Sequence, residues 1–164
     1  FKTIIMRIYF LFFMTFIYTG LAYGQTNMID YYKQAMPLIL NSNEFKGYGV
    51  NHNNYHVSPE IISFSNYSEL FTDELSNDKS FEIDKNEVSR LENDLLKFNK
   101  RECGKVKVYF SEMKEGFFFV EVFVSKKKNL KYKDKLVFGS SQVYLFKVLN
   151  EKISISKIKL FHYN

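Results

Sequence analysis

From Lys105 onward, apolar and polar residues alternate with a period of two. In "KVKVYFS" Val106, Val108 and Phe110 share one side, and Lys105, Lys107 and Tyr109 the other. That pattern predicts a half-buried strand. "EMKEG", 112–116, predicts a turn, and "FFFVEVFV", 117–124, a returning strand. "SQVYLFKVL" and "ISISKIKLFHY" predict a second pair folded about Asn150-Glu151-Lys152. The last strand carries a conflict. On an ideal strand Ile153 and Ile155 share a face, while Ile158 and Leu160 lie on the opposite one. A bulge near Ser156-Lys157, or coverage of both faces, resolves it.

Upstream the period is helical. Ile29, Tyr32, Met36 and Ile39 make one stripe in a helix predicted from Asn27 to Leu40, with Asn27 as cap. Pro37 is expected to kink or end it, having no N–H for the Lys33 carbonyl. Val88, Leu91, Leu95 and Phe98 make a second stripe in a helix over 84–98, where Asp84 and Glu87 resemble a capping box. "YSELFTDEL", from Tyr67, reads as a short helix. "NSNEFKGYGVNHNNYHVSPE" reads as a long polar loop holding at most one short strand. "SPEIISF" suits a helix start or a strand equally. The expected fold class is α+β: N-terminal helices packed on one face of a curled antiparallel sheet of about four to five strands.

The N-terminal segment differs in character. Lys2 and Arg7 precede an uncharged run from Ile8 to Asn27, whose dense apolar part is Ile8–Ile17. Ala22-Tyr23-Gly24 supplies small residues two apart. The expectation is a signal peptide over 1–24, cleaved before Gln25, with an uncleaved N-terminal anchor as the alternative. Residues 25–164 are then one domain, periplasmic or secreted. The abundance of Asn, Lys, Ile, Phe and Tyr points to a bacterial source.

Charge narrows the partners. The chain carries +5; without Lys2 and Arg7 this falls to +3, 21 basic residues against 18 acidic. An excess so small does not suggest nucleic acid. Membrane contact is expected only if the N-terminal segment stays attached. Much of the excess lies in the lysine-rich Lys126–Lys135 stretch, read as a solvated connection between strands or as a docking patch for anionic polymers. Cys103 stands alone, which excludes a disulfide within one chain.

Strand 117–124 is apolar on both sides. Its odd positions are Phe117, Phe119, Glu121 and Phe123, so one carboxylate sits in a phenylalanine row. Helices on one face only would leave that row in water, and such patches mark interfaces or ligand grooves. Three readings follow. The row is ordinary core, or it meets a second chain as a homodimer or protein partner, or it lines a ligand site with Glu121 as its polar group. In the third reading Phe117, Phe119, Glu121 and Phe123 are the binding residues, and Glu121 is a candidate general acid or base.

Chemistry beyond this row is sparse. No nucleophile elbow, phosphate loop, HExxH or CxxC pattern occurs, so no catalytic residues are assigned. His52 and His56 are four apart in "HNNYH" but lack a third ligand nearby, so neither a metal nor a cofactor is implied. Asn66-Tyr67-Ser68 matches a glycosylation acceptor, a pattern that also arises by chance.

The stripe in 84–98 followed by strand pairs from Lys105 to Tyr163 resembles the cystatin-like or nuclear-transport-factor-like α+β superfamily in layout. That resemblance implies a pocket enzyme, a ligand binder or a protein inhibitor, without choosing among them. The expected function is a small exported bacterial module that binds another protein or itself without catalysis. The alternative is a pocket protein binding or transforming a small apolar ligand around Glu121. Enzymatic activity is the lesser expectation.

Overall fold

The structure, a computed structural model, describes residues 28–47, 55–75, 85–96, 98, 105–125, 132–134 and 139–163, the side chains of 85–88 and 134 excepted. The expected signal segment, Cys103, His52, Asp84 and most of the Lys126–Lys135 stretch lie outside these residues.

Helix α1 runs Met28–Asn41 and buries Ile29, Tyr32, Ala35, Met36 and Ile39, the predicted stripe with Ala35 added. Pro37 does not end it. Lys33 and Pro37 are both exposed, so the carbonyl that Pro37 leaves unpaired can be hydrated. A one-turn helix α2 follows, Asn43–Lys46, capped by the Ser42 hydroxyl, which accepts from Phe45 N at 3.1 Å. The expected long loop thus contains a helix, and it then gives way to strand β1, Tyr55–Ile62.

β1 settles "SPEIISF" as a strand through Ile62. Its pairing with β2, Val106–Ser111, slips between Val57 and Ile61. Ser58 Oγ accepts from Glu60 N at 3.2 Å there, a local turn that resembles a helix cap in sequence. Pro59 falls in the slip, where its missing N–H interrupts no ladder bond.

β1 and β2 are parallel, joined by a long crossover. The crossover carries α3, Ser65–Ser68, a 3₁₀ turn, Glu69–Phe71, and α4, Lys85–Leu96. The remaining strands are antiparallel: β3, Phe117–Val124, β4, Gly139–Leu149, and β5, Lys152–Tyr163. Strand order is β1-β2-β3-β4-β5 in one open sheet.

The expected curled antiparallel sheet is therefore corrected to a mixed five-stranded sheet that is neither curled nor closed. The cause lies in the crossover. It is long enough to return the chain parallel to β1, and the polar, proline-containing β1 has no alternation to announce it.

Two hairpins use two-residue turns with positive φ at both central positions, the mirror-image type that matches strand twist. These are Glu115 (φ 49) with Gly116 (φ 78), and Asn150 (φ 49) with Glu151 (φ 61). At Ser156 the β4–β5 ladder skips a residue. Leu145 pairs with Lys157, and Phe146 pairs with Ile155. The bulge expected from the isoleucine pattern is present, and Ile153, Ile155 and Ile158 all pack on one cluster.

Both faces are covered, not one. On the first face Val106, Val108, Phe110, Phe118, Val120, Val122, Tyr144 and Phe146 meet α1 and the Leu91 and Leu95 side chains of α4. Tyr32 stacks on Phe110 at 4.4 Å and donates to the Ser111 carbonyl at 2.6 Å. On the second face Tyr109, Phe119, Val143 and Leu145 meet Phe64, Tyr67 and Phe71. The crossover thus visits both faces, which is what a strand apolar on both sides requires.

Candidate functional site

Strand parity puts Phe117, Phe119, Glu121 and Phe123 on the second face together. Phe119, Glu121 and Phe123 are fully buried, and Phe117 is half-buried, with the Lys147 amine 5.6 Å from its ring centre. Phe119 is a packing residue: its ring lies 4.6 Å from Phe64, 5.1 Å from Phe71 and 5.8 Å from Tyr67. The four predicted residues therefore divide. Phe117 and Phe119 anchor the covering layer, while Glu121 and Phe123 belong to a polar cluster farther along the strand.

Three tyrosines gather at Glu121, each from a different element. Tyr67 comes from α3. That helix starts without a side-chain cap from Phe64, but Glu112 Oε1 accepts from Phe64 N at 2.7 Å and holds the turn in place. Tyr67 then stands edge-on to Phe119 and Phe161, both at 5.8 Å. Tyr132 opens a 3₁₀ turn, Tyr132–Asp134, pinned where its N–H donates to Glu60 Oε2 at 2.9 Å. Its ring stands edge-on to Tyr109 at 5.2 Å. Tyr163 ends β5, with its ring 4.8 Å from Phe161 and 6.2 Å from Phe123.

The hydroxyls form one network. Tyr163 donates to Glu121 Oε1 and lies 3.1 Å from Ser141 Oγ and 3.3 Å from the Tyr67 hydroxyl. The Tyr67 and Tyr132 hydroxyls are 2.8 Å apart, and Asn66 Nδ2 donates to Tyr132 at 3.3 Å. An ionised carboxylate only accepts, with room for about four bonds. Phenols are suited to fill those positions because each keeps its proton. Burial first, then the Glu121 charge and Tyr132, push the Tyr67 hydroxyl far above the ordinary tyrosine range. Burial and Glu121 also push Tyr132 up, against the hydrogen bonds from Tyr67 and Asn66. Tyr67 and Tyr132 therefore remain neutral donors at any physiological pH.

Lys107 brings a cation to the same face. It is buried, pairs in register with Phe123, and stands diagonal to Glu121, whose own partner is Tyr109. Diagonal positions across strands are within reach of long side chains. The site thus combines a buried carboxylate, a buried ammonium and phenol hydroxyls in an aromatic frame. Such a setting recognises a small molecule through a few directed hydrogen bonds and ring contacts.

The tyrosines were missed in the sequence reading. Tyr67 was visible as the start of a short helix and inside the Asn66-Tyr67-Ser68 pattern, and Tyr132 lies inside the lysine-rich stretch. Tyr163 reaches the second face because the bulge at Ser156 shifts parity along β5, a consequence that could have been drawn once a bulge was expected. His56 lies on β1. Among the described residues no group of three His, Cys, Asp or Glu side chains is arranged to hold a metal, and no helix is long and apolar enough to cross a membrane.

Comparison of the chain with protein-family models, with curated proteins and with solved structures gave no match. No homologue therefore supports a particular superfamily for it.

Proposed function

We propose that this protein is an exported, non-catalytic domain that binds a small, partly apolar ligand at the Glu121 cluster. One observation carries the reading: hydroxyls from α3, the 132–134 turn and β5 converge on a single buried carboxylate. A structural role alone makes this an expensive arrangement. Buried polar networks stabilise less than an apolar core of the same shape unless every member is satisfied. A site for recognition gives the residues a use that packing does not.

The association reading rested on a phenylalanine row in water. Here Phe64, Tyr67 and Phe71 of the same chain cover that row, so that argument no longer favours a partner over a ligand. The ligand reading is tested with a library of small aromatic and hydroxylated compounds, screened by thermal shift on the wild-type chain and on Glu121→Gln. Compounds that stabilise the wild type and not the folded variant support it. A library without a single Glu121-dependent stabiliser counts against it.

A further inference from the structure

The environment of Tyr163 describes a ligand. Its ring occupies an aromatic slot between Phe161 and Phe123, and its hydroxyl reaches three different polar groups. It donates to Glu121 Oε1 and lies within hydrogen-bond distance of Ser141 and Tyr67. Those contacts span β3, β4 and α3, while Tyr163 itself is the last described residue of β5, the outermost strand among the described residues. The slot is thus walled by Phe123 of β3 and by Phe161 of β5 itself, with polar partners from β3, β4 and α3.

We propose that the Glu121 site recognises an aryl hydroxyl, a phenolic small molecule, and that Tyr163 occupies the site in its place. This rests on the ligand-binding reading above and names the ligand class. Chemistry favours a phenol over other rings. The site offers an acceptor carboxylate at the bottom of an aromatic slot, so an unsubstituted ring leaves the carboxylate short of a donor. Tyr67 and Tyr132 still hydrogen-bond Glu121 in that case, so the cost is that of one missing charge-assisted bond. The hydroxyls of Ser141 and Tyr67 stand where they can also donate to a phenol oxygen, as they can to that of Tyr163. The ligand enters by displacing the Tyr163 side chain, which sits on the outermost described strand and is only half-buried.

The test removes the resident phenol and returns it as a free molecule. Tyr163→Ala is titrated calorimetrically with p-cresol, the tyrosine side chain itself, and with toluene, which lacks the hydroxyl. The expected result is saturable binding of p-cresol, preferred over toluene about ten- to a hundredfold, the range that a hydrogen bond to a charged group supplies. Adding Glu121→Gln shrinks that preference. Equal binding of toluene overturns the phenol class, since the slot would then be only an apolar hole. Binding of neither compound overturns the inference outright.

If Tyr163→Ala does not fold, the wild-type chain decides. Ring signals of Tyr163 in nuclear magnetic resonance spectra should shift saturably as p-cresol displaces it, and toluene should not shift them. No saturable shift overturns the proposal. Failure here is distinguishable from failure of the ligand reading. A compound without a hydroxyl that stabilises the wild type through Glu121 would keep the site and discard the phenol.

Discussion

Truncating Phe119 to alanine tests whether the second-face layer belongs to the cooperative fold. Phe119 is fully buried and touches Phe64, Phe71 and Tyr67 at ring-centre distances of 4.6, 5.1 and 5.8 Å. Removing a buried phenylalanine costs about 3–5 kcal/mol, from lost transfer energy and the cavity left behind. Three ring contacts put this site toward the upper half, since each adds about 0.5–1.5 kcal/mol beyond area. A domain is stable by only about 5–15 kcal/mol, so the change is a large fraction of the total. In urea, with a slope of about 1–3 kcal/mol per molar, the midpoint should fall by about 2 M. Phe118→Ala, fully buried on the opposite face, should lose a similar amount, because both layers share one sheet. Leu160→Ala is the control: Leu160 is 59% exposed, and its loss should stay within about 0.5 kcal/mol. The assay is urea unfolding followed by circular dichroism and tyrosine fluorescence. A loss under about 1 kcal/mol for Phe119→Ala, beside a full loss for Phe118→Ala, would refute the reasoning. It would mean that α3 and its 3₁₀ turn do not unfold together with the sheet.

Other consequences can be checked separately. Tyr67 and Tyr132 are raised above the ordinary value of 10, and burial pushes Tyr144 up to about 12. The folded state holds these protons more tightly than the unfolded one. Their stability is therefore present in full below about pH 10 and falls as pH rises above it, by up to about 1.4 kcal/mol per pH unit for each tyrosine. Urea unfolding from neutral to about pH 11 reads this, and pH-independent stability would contradict it. Glu121→Gln removes the charge that helps hold Tyr67 and Tyr132 protonated, so their ultraviolet titration should move down toward the ordinary range; an unmoved titration would contradict that account. Deleting Ser156 removes the bulge and leaves Ile155 and Ile158 two apart, so Ile153, Ile155 and Ile158 share a face on a regular strand and thermal stability should stay within about 1 kcal/mol of the wild type; a loss above about 3 kcal/mol would sink that argument. Gly116→Ala forces a residue with φ 78 to carry a Cβ 3.2 Å from the Val148 carbonyl, so thermal unfolding should show a loss of about 1–2 kcal/mol.

Much of the sheet was legible because period-two patterning survives wherever a strand has two distinguishable faces. The alternation in 105–111 and the isoleucine conflict at Ser156 each carried their own answer, down to the bulge. Glu121 stood out for a similar reason, as one charge in a phenylalanine row. What escaped lacked local signal. β1 is polar, slips register at Pro59 and pairs parallel across a long crossover, so nothing nearby in sequence marks its partner. Coverage of the second face depends on Phe64, Tyr67 and Phe71, which sit in a turn and two short helical pieces with too few residues to show a period. The tyrosine cluster draws on positions 67, 132 and 163, separations that only the folded sheet brings together.

The most direct measurement of the central claim is where a bound compound sits. Tyrosine-ring resonances of the wild-type chain should be followed as small aromatic and hydroxylated compounds are added. The account predicts that a stabilising compound shifts Tyr67, Tyr132 and Tyr163 saturably, and that Glu121→Gln abolishes those shifts while the variant stays folded. Stabilising compounds that leave all three rings unmoved, or that bind the variant as tightly as the wild type, would contradict it.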